Sequence, residues 1–213
     1  MTMKSTGTVP KKVIFAHGFE GRPNGRKATY LRDSLGMEVV APTLHSQGWC
    51  FSDHVSVLSE TLDLHPEISL LVGSSMGGLA SAVALSNRPS DAYKTILLAP
   101  AFGVHESFRN RLGEKAFSQW SSSGFIQYQH AAVGGLVDLP FSFWTECRAA
   151  SRTVIEANTV IIHGAHDAVI PLSESVSVAR RSPGVLSLFQ ADDDHRLAGS
   201  LALIRDALAV LYP

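Results

Sequence analysis

Gly73-Ser74-Ser75-Met76-Gly77 stands between the apolar run Ile68-Ser69-Leu70-Leu71-Val72 and the segment Gly78-Leu79-Ala80-Ser81-Ala82-Val83-Ala84-Leu85. A Gly-x-Ser-x-Gly between a buried strand and a helix has the form of a nucleophile elbow, in which the central serine is held out of a sharp turn. That makes Ser75 the candidate nucleophile and Ser74 its support. A serine hydroxyl is a weak nucleophile until a base takes its proton and an anion-stabilising pocket receives the charge. Gly73 and Gly77 lack the Cβ atoms that would collide where the chain doubles back. The backbone N–H of Met76, at the start of the following helix, is the first candidate donor to a developing oxyanion.

The remaining chemistry has to come from elsewhere in the chain. Among the nine histidines, His195 follows the last strand-like run in Gln190-Ala191-Asp192-Asp193-Asp194-His195, where the chain turns toward the terminal helix. Parallel sheets place functional groups in loops at the carboxyl ends of their strands, so His195 is the candidate general base. A base that becomes transiently cationic needs a carboxylate behind it, and Asp167, in His163-Gly164-Ala165-His166-Asp167-Ala168-Val169-Ile170-Pro171, is the candidate. Asp192, Asp193 and Asp194 compete for that role but read as a solvated turn. His163, His166 and Asp167 could be read as metal ligands, yet they straddle a strand-to-loop junction and not one helix face; no metal or other cofactor is expected. A second oxyanion donor is the Phe19 N–H, in the glycine-rich loop Phe15-Ala16-His17-Gly18-Phe19-Glu20-Gly21-Arg22-Pro23, where His17 reads as a structural brace.

These groups must be positioned by the elements between them. Six short apolar runs, Lys12 to Ala16, Met37 to Ala41, Ser69 to Gly73, Thr95 to Ala99, Thr159 to His163 and Val185 to Gln190, show little alternation. They are separated by helical periodicity over Arg26 to Leu35, Asp53 to Leu64, Met76 to Asn87, Leu172 to Arg181 and Arg196 to Leu211. Strand-sized apolar runs spaced by helices predict an α/β, doubly wound, mostly parallel six-stranded sheet. With strand order 2-1-3-4-5-6, the switch point lies between the first and third strands, so the Phe19 loop and the Ser75 elbow flank one crevice.

One interval breaks this rhythm. Residues 102–158 are too long for a single crossover and hold Trp120 and Trp144 with Phe108, Phe117, Phe125, Tyr128, Phe141 and Phe143. A small helical insertion, lying as a lid over the carboxyl edge of the sheet, accounts for them. Trp120, Phe125, Phe143 and Trp144 are the candidate substrate-binding residues, and an aromatic, uncharged lid predicts an uncharged acyl or alkyl group of short to medium length.

Composition bounds the function. The 213 residues read as one domain, residues 1–213, with a net charge of −1 and 17% charged residues, which argues against nucleic acid or an anionic membrane surface as partner. Cys50 and Cys147 have no metal-ligand spacing and read as free thiols of a reducing compartment. Met1 to Pro10 hold no leader-like apolar stretch, and no run approaches a membrane span, so a cytoplasmic location is expected.

Together, His17-Gly18-Phe19, Gly73-Ser74-Ser75-Met76-Gly77-Gly78, Asp167 before Val169-Ile170-Pro171, and His195 after an acidic run resemble the α/β-hydrolase superfamily. With its length, the Phe19-to-Lys27 loop and Asp192-Asp193-Asp194-His195, the chain is most similar to the small bacterial esterases of the YqiA type. The resemblance implies a truncated α/β-hydrolase fold, lacking the superfamily's first two strands. It also implies a serine hydrolase with Ser75 as nucleophile, Asp167 as acid, His195 as base, and Phe19 and Met76 as oxyanion donors, acting on a small-molecule ester through an acyl-enzyme. A thioesterase or amidase using the same triad, and a non-catalytic binding module on the same fold, are the alternatives.

Overall fold

A computed structural model describes residues 8–213. The reading of Met1 to Pro10 falls largely on residues 1–7, outside the described residues. The chain runs β1 (Lys12–Ala16), α1 (Arg26–Thr29) continued by a π-helical turn (Tyr30–Ser34), β2 (Glu38–Val40), α2 (Phe51–Leu64), β3 (Leu70–Ser74), α3 (Met76–Leu85) and β4 (Lys94–Leu98). It continues through α4 (Val104–Ser123), β5 (Phe125–His130), β6 (Gly135–Pro140), α5 (Phe141–Ala150), β7 (Asn158–Gly164), α6 (Leu172–Arg181), β8 (Val185–Ala191) and α7 (Leu203–Leu211).

The main sheet has the order β2-β1-β3-β4-β7-β8, and every pairing in it is parallel. Helices cover both faces, which explains why its central strands are continuous apolar runs. Ile14, Ala16, Leu71, Leu97 and Ile161 point to the face covered by α2, α3 and residues 102–158. Their strand neighbours Val13, Phe15, Leu70, Val72, Ile96 and Ile162 point to the face covered by α1 and α7. The edge strands β2 and β8 are only partly buried.

Two expectations change in detail. The terminal helix begins at Leu203 and not at Arg196, because Leu197 takes a positive φ of 52° and the Asp194 carboxylate accepts the Arg196 N–H at 2.7 Å, tying 194–202 into turns. Residues 102–158 are not wholly helical: α4 and α5 flank an antiparallel hairpin, β5 with β6, whose strands form their own two-stranded sheet. In Phe125-Ile126-Gln127-Tyr128-Gln129-His130 the inward positions are Ile126, Tyr128 and His130, the period of a half-buried strand. Gly113, at φ 75° and ψ 160°, breaks α4 into two segments.

Candidate active site

β3 ends one residue before Ser75, and α3 begins one residue after it. Ser75 takes φ 52° and ψ −117°, a conformation that non-glycine residues rarely adopt and that the surrounding chain must enforce. The neighbouring backbones leave no room for a side chain: a Cβ on Gly77 would overlap the Ala16 carbonyl, and one on Gly73 would overlap the Ser81 hydroxyl and the Gly77 carbonyl. The elbow is thus wedged between the end of β1 and its own helix.

Three side chains that lie far apart in sequence meet at this tip. Ser75 Oγ lies 2.9 Å from His195 Nε2, and His195 Nδ1 lies 2.6 Å from Asp167 Oδ2. An ionised carboxylate only accepts, so Nδ1–H donates to Asp167 and leaves the Nε2 lone pair for the serine proton. The His195 side chain keeps 18% of its surface exposed, whereas that of Asp167 is fully covered, so the histidine alone faces incoming substrate.

Asp167 is anchored from four directions. Its Oδ1 accepts the Val169 and Ile170 N–H groups at 2.8 Å each, and its Oδ2 receives His195 and, at 3.1 Å, His163 Nε2. Burial alone would raise the carboxyl pKa. Hydrogen bonds from His163, His195 and Ile170 outweigh it and hold Asp167 well below the usual carboxylate range. His163, on β7, was considered in sequence only as a metal ligand, but its geometry is that of a neutral donor. Its Nδ1 accepts the Ser175 hydroxyl at 2.7 Å, while its Nε2–H is shared between the Ile170 carbonyl at 2.9 Å and Asp167. The signal available in sequence is the i, i+4 spacing of His163 and Asp167 across the end of the strand.

The loop after β1 closes the other side of the crevice. A Cβ on Gly18 would lie 3.3 Å from Ser75 Cβ, so the loop touches the elbow. His17 braces it: Nδ1–H donates to the Gly18 carbonyl at 2.8 Å, and Nε2 accepts the Leu44 N–H at 3.1 Å. His130, at the end of β5, donates from Nε2 to the Phe19 carbonyl at 2.8 Å and accepts the Val133 N–H at Nδ1. Among the described residues no turn or side chain takes up the N–H of Phe19 or of Met76.

A cavity of about 630 Å³ opens over Ser75 and His195, and Phe19 and Met76 line it. The four aromatic residues predicted to bind substrate do not. Trp120, Phe143 and Trp144 are buried in the core: Trp120 Nε1 donates to the Leu139 carbonyl at 2.9 Å, Trp144 Nε1 donates to the His105 carbonyl at 2.8 Å, and Phe143 packs behind Phe19 with ring centroids 5.0 Å apart. Phe125 is exposed outside the cavity. Large aromatic surfaces in the insertion are spent on fixing it to the domain. The walls are formed instead by Val104, Phe108, Tyr128, Val169 and several basic side chains, so the residues that pointed to an uncharged substrate no longer support it.

Among the described residues no cluster of three or more His, Cys, Asp or Glu could hold a metal ion, and no helix is long and apolar enough to cross a membrane. Cys50 and Cys147 are unbridged.

Residues 12–211 match a protein family described as "Uncharacterised protein family (UPF0227)". Among curated protein sequences, none matches the chain. Solved structures share the fold at low identity. Alpha/beta hydrolase domain-containing protein 10 from mouse is 22% identical with a TM-score of 0.70, over 96% of this chain and 90% of that one. Est1E from Butyrivibrio proteoclasticus, solved with ferulic acid bound, is 18% identical with a TM-score of 0.72, over 95% and 88%. The esterase domain of a Rhodothermus marinus protein is 16% identical with a TM-score of 0.62, over 94% and 85%. These likenesses establish an α/β-hydrolase fold.

Proposed function

We propose that this chain, which belongs to the uncharacterised protein family UPF0227, is a serine hydrolase that cleaves carboxylic esters through an acyl-enzyme. The observation that carries the reading is the unbroken line Ser75 Oγ, His195 Nε2, His195 Nδ1, Asp167 Oδ2, with links of 2.9 and 2.6 Å, at the floor of a cavity. Esterases among the proteins of the same fold support the ester class by analogy alone.

In this reading His195 Nε2 takes the Ser75 proton as Oγ bonds to the ester carbonyl carbon. The carbonyl oxygen becomes an oxyanion between the Phe19 and Met76 N–H groups, each worth about 3 kcal/mol of transition-state stabilisation. Asp167 keeps Nδ1 protonated and stabilises the imidazolium. His195 then returns the proton to the leaving alkoxide as the C–O bond breaks. Water attacks the acyl-enzyme by the same route and releases the acid and free Ser75. A volume of about 630 Å³ suits acyl groups of short to medium length.

The test is turnover of p-nitrophenyl butyrate by the native chain and by Ser75→Ala. The native chain should release p-nitrophenol catalytically and the variant should not; equal rates would contradict the reading.

A further inference from the structure

The lining of the cavity over Ser75 has a charge pattern that the overall composition hides. Of its side chains, Arg22, Arg26, Lys27, Arg111 and Arg196 are cationic, and Glu20 alone is a carboxylate, in a chain whose net charge is −1. None of the five cations forms an ion pair with a carboxylate among the described residues. Four of them are held by neutral acceptors: Arg22 donates to the Ala132 carbonyl at 2.8 Å, Arg26 to the Ala198 carbonyl at 2.8 Å, and Lys27 to the Arg196 carbonyl at 2.7 Å. The Arg111 guanidinium lies over the rings of Phe108 and Tyr128 and donates to the Tyr128 hydroxyl at 3.2 Å.

The nearby acids are otherwise engaged. Glu20 accepts the Tyr128 hydroxyl. Asp193, which is close enough to Lys27 to act on it electrostatically, accepts the Asp194 and Gly199 N–H groups at 2.8 Å each, while Asp194 accepts the Arg196 N–H. Burial lowers the Lys27 pKa, with Arg26 and Arg196 pulling the same way and Asp193 and Asp194 the other. Positioned cations on carbonyl acceptors leave a field directed into the cavity, where low-dielectric walls strengthen it.

The charges are unevenly spread over the walls. Four of the cations come from the loop after β1, from α1 and from the turn after His195, whereas α4 and the loop after β7 contribute Val104, Phe108 and Val169 with Arg111 as their one cation; Phe15 and Phe19 add apolar surface beside the first group. We propose that this site takes esters carrying an anionic group, a carboxylate or a phosphate, a few atoms from the scissile carbonyl, with an apolar portion against Val104 and Phe108. The inference rests on the hydrolase reading for the reaction, and it replaces an uncharged substrate with an amphiphilic, negatively charged one. Two-sided recognition of this kind orients the substrate as well as attracting it.

The test compares matched pairs by pH-stat: monoethyl adipate against diethyl adipate for a carboxylate, and 1-butyryl-glycerol 3-phosphate against monobutyrin for a phosphate. The anionic member of at least one pair should have the higher kcat/KM, by about tenfold or more at low ionic strength, and the preference should shrink in about 0.5 M salt. The pair that shows it identifies the anion. Arg196→Ala should reduce the anionic-to-neutral ratio several-fold and Arg196→Lys should keep most of it. Cleavage of the neutral esters without any anionic preference would overturn this inference and leave the hydrolase reading standing. Absence of all ester cleavage would overturn the hydrolase reading; calorimetric titration with monoethyl adipate and with 1-butyryl-glycerol 3-phosphate then decides the anion site by itself, and binding of neither would overturn it.

Discussion

His195 and His163 share the carboxylate of Asp167, whereas His17, His45, His54 and His130 crowd around Phe19 and Trp49 with no carboxylate partner among the described residues. One member of each group, His195 and His17, lines the cavity. In the first, each ring nitrogen has a defined partner, and the buried charge of Asp167 is matched by four donors. In the second, rings meet rings: His45 stacks on Trp49 with centroids 4.9 Å apart, and neither nitrogen of His54 has a partner. Burial lowers the pKa of His17 and His45, and burial followed by repulsion from the other histidines pushes that of His54 down to about 3. The difference teaches that partners decide what a histidine does here. A carboxylate orients one histidine toward Ser75, and its absence leaves the others as braces around the loop that carries Phe19.

The comparison can be broken from its catalytic side first. Replacing His195 with Ala should lower kcat/KM for p-nitrophenyl butyrate by about 10⁵-fold, the scale for losing a base that acts together with its nucleophile. Asp167→Asn should cost about 10⁴-fold, since an amide there favours the wrong tautomer of His195. His163→Leu removes one donor to Asp167. A hydrogen bond to a charged group is worth about 1.5–3 kcal/mol, so a loss of ~10–100-fold is expected.

The brace side is sharpened by stability measurements. His54 binds its proton in the unfolded chain near pH 6.5 and in the folded chain only near pH 3. Stability is therefore complete above about pH 6.5 and declines on acidification toward pH 3, by about 1.4 kcal/mol per pH unit from this residue. In urea melts, His54→Phe should remove about 2 kcal/mol of the loss between pH 7 and pH 5, with esterase activity at pH 8 changed less than about threefold. An unchanged pH dependence would contradict the brace account.

The site was more legible in the sequence than its walls were. Ser75, Asp167, His195 and the Phe19 loop all sit at carboxyl ends of parallel strands, so recognising the strands and their order brought them together before any coordinates. Residues 102–158 supply only part of the walls, and there reading aromatic content as lining failed. Trp120, Phe143 and Trp144 are apolar enough to be taken into the core, and the lining was left to Phe108, Tyr128 and basic residues. The hairpin was visible in the alternation from Phe125 to His130 and the Gly134-Gly135 turn, but a helical insertion was the simpler reading of so long a segment. The contact of His163 with Asp167 was not legible because their i, i+4 spacing gains meaning only once the turn after β7 brings the carboxylate back onto the ring.

The central claim is that Ser75 is the nucleophile, and reaction with a fluorophosphonate followed by peptide mapping tests it most directly. A single adduct on Ser75 of the native chain, absent from Ser75→Ala and strongly slowed in His195→Ala, is the predicted result. An adduct on another serine, or none on a chain that still cleaves esters, would contradict it.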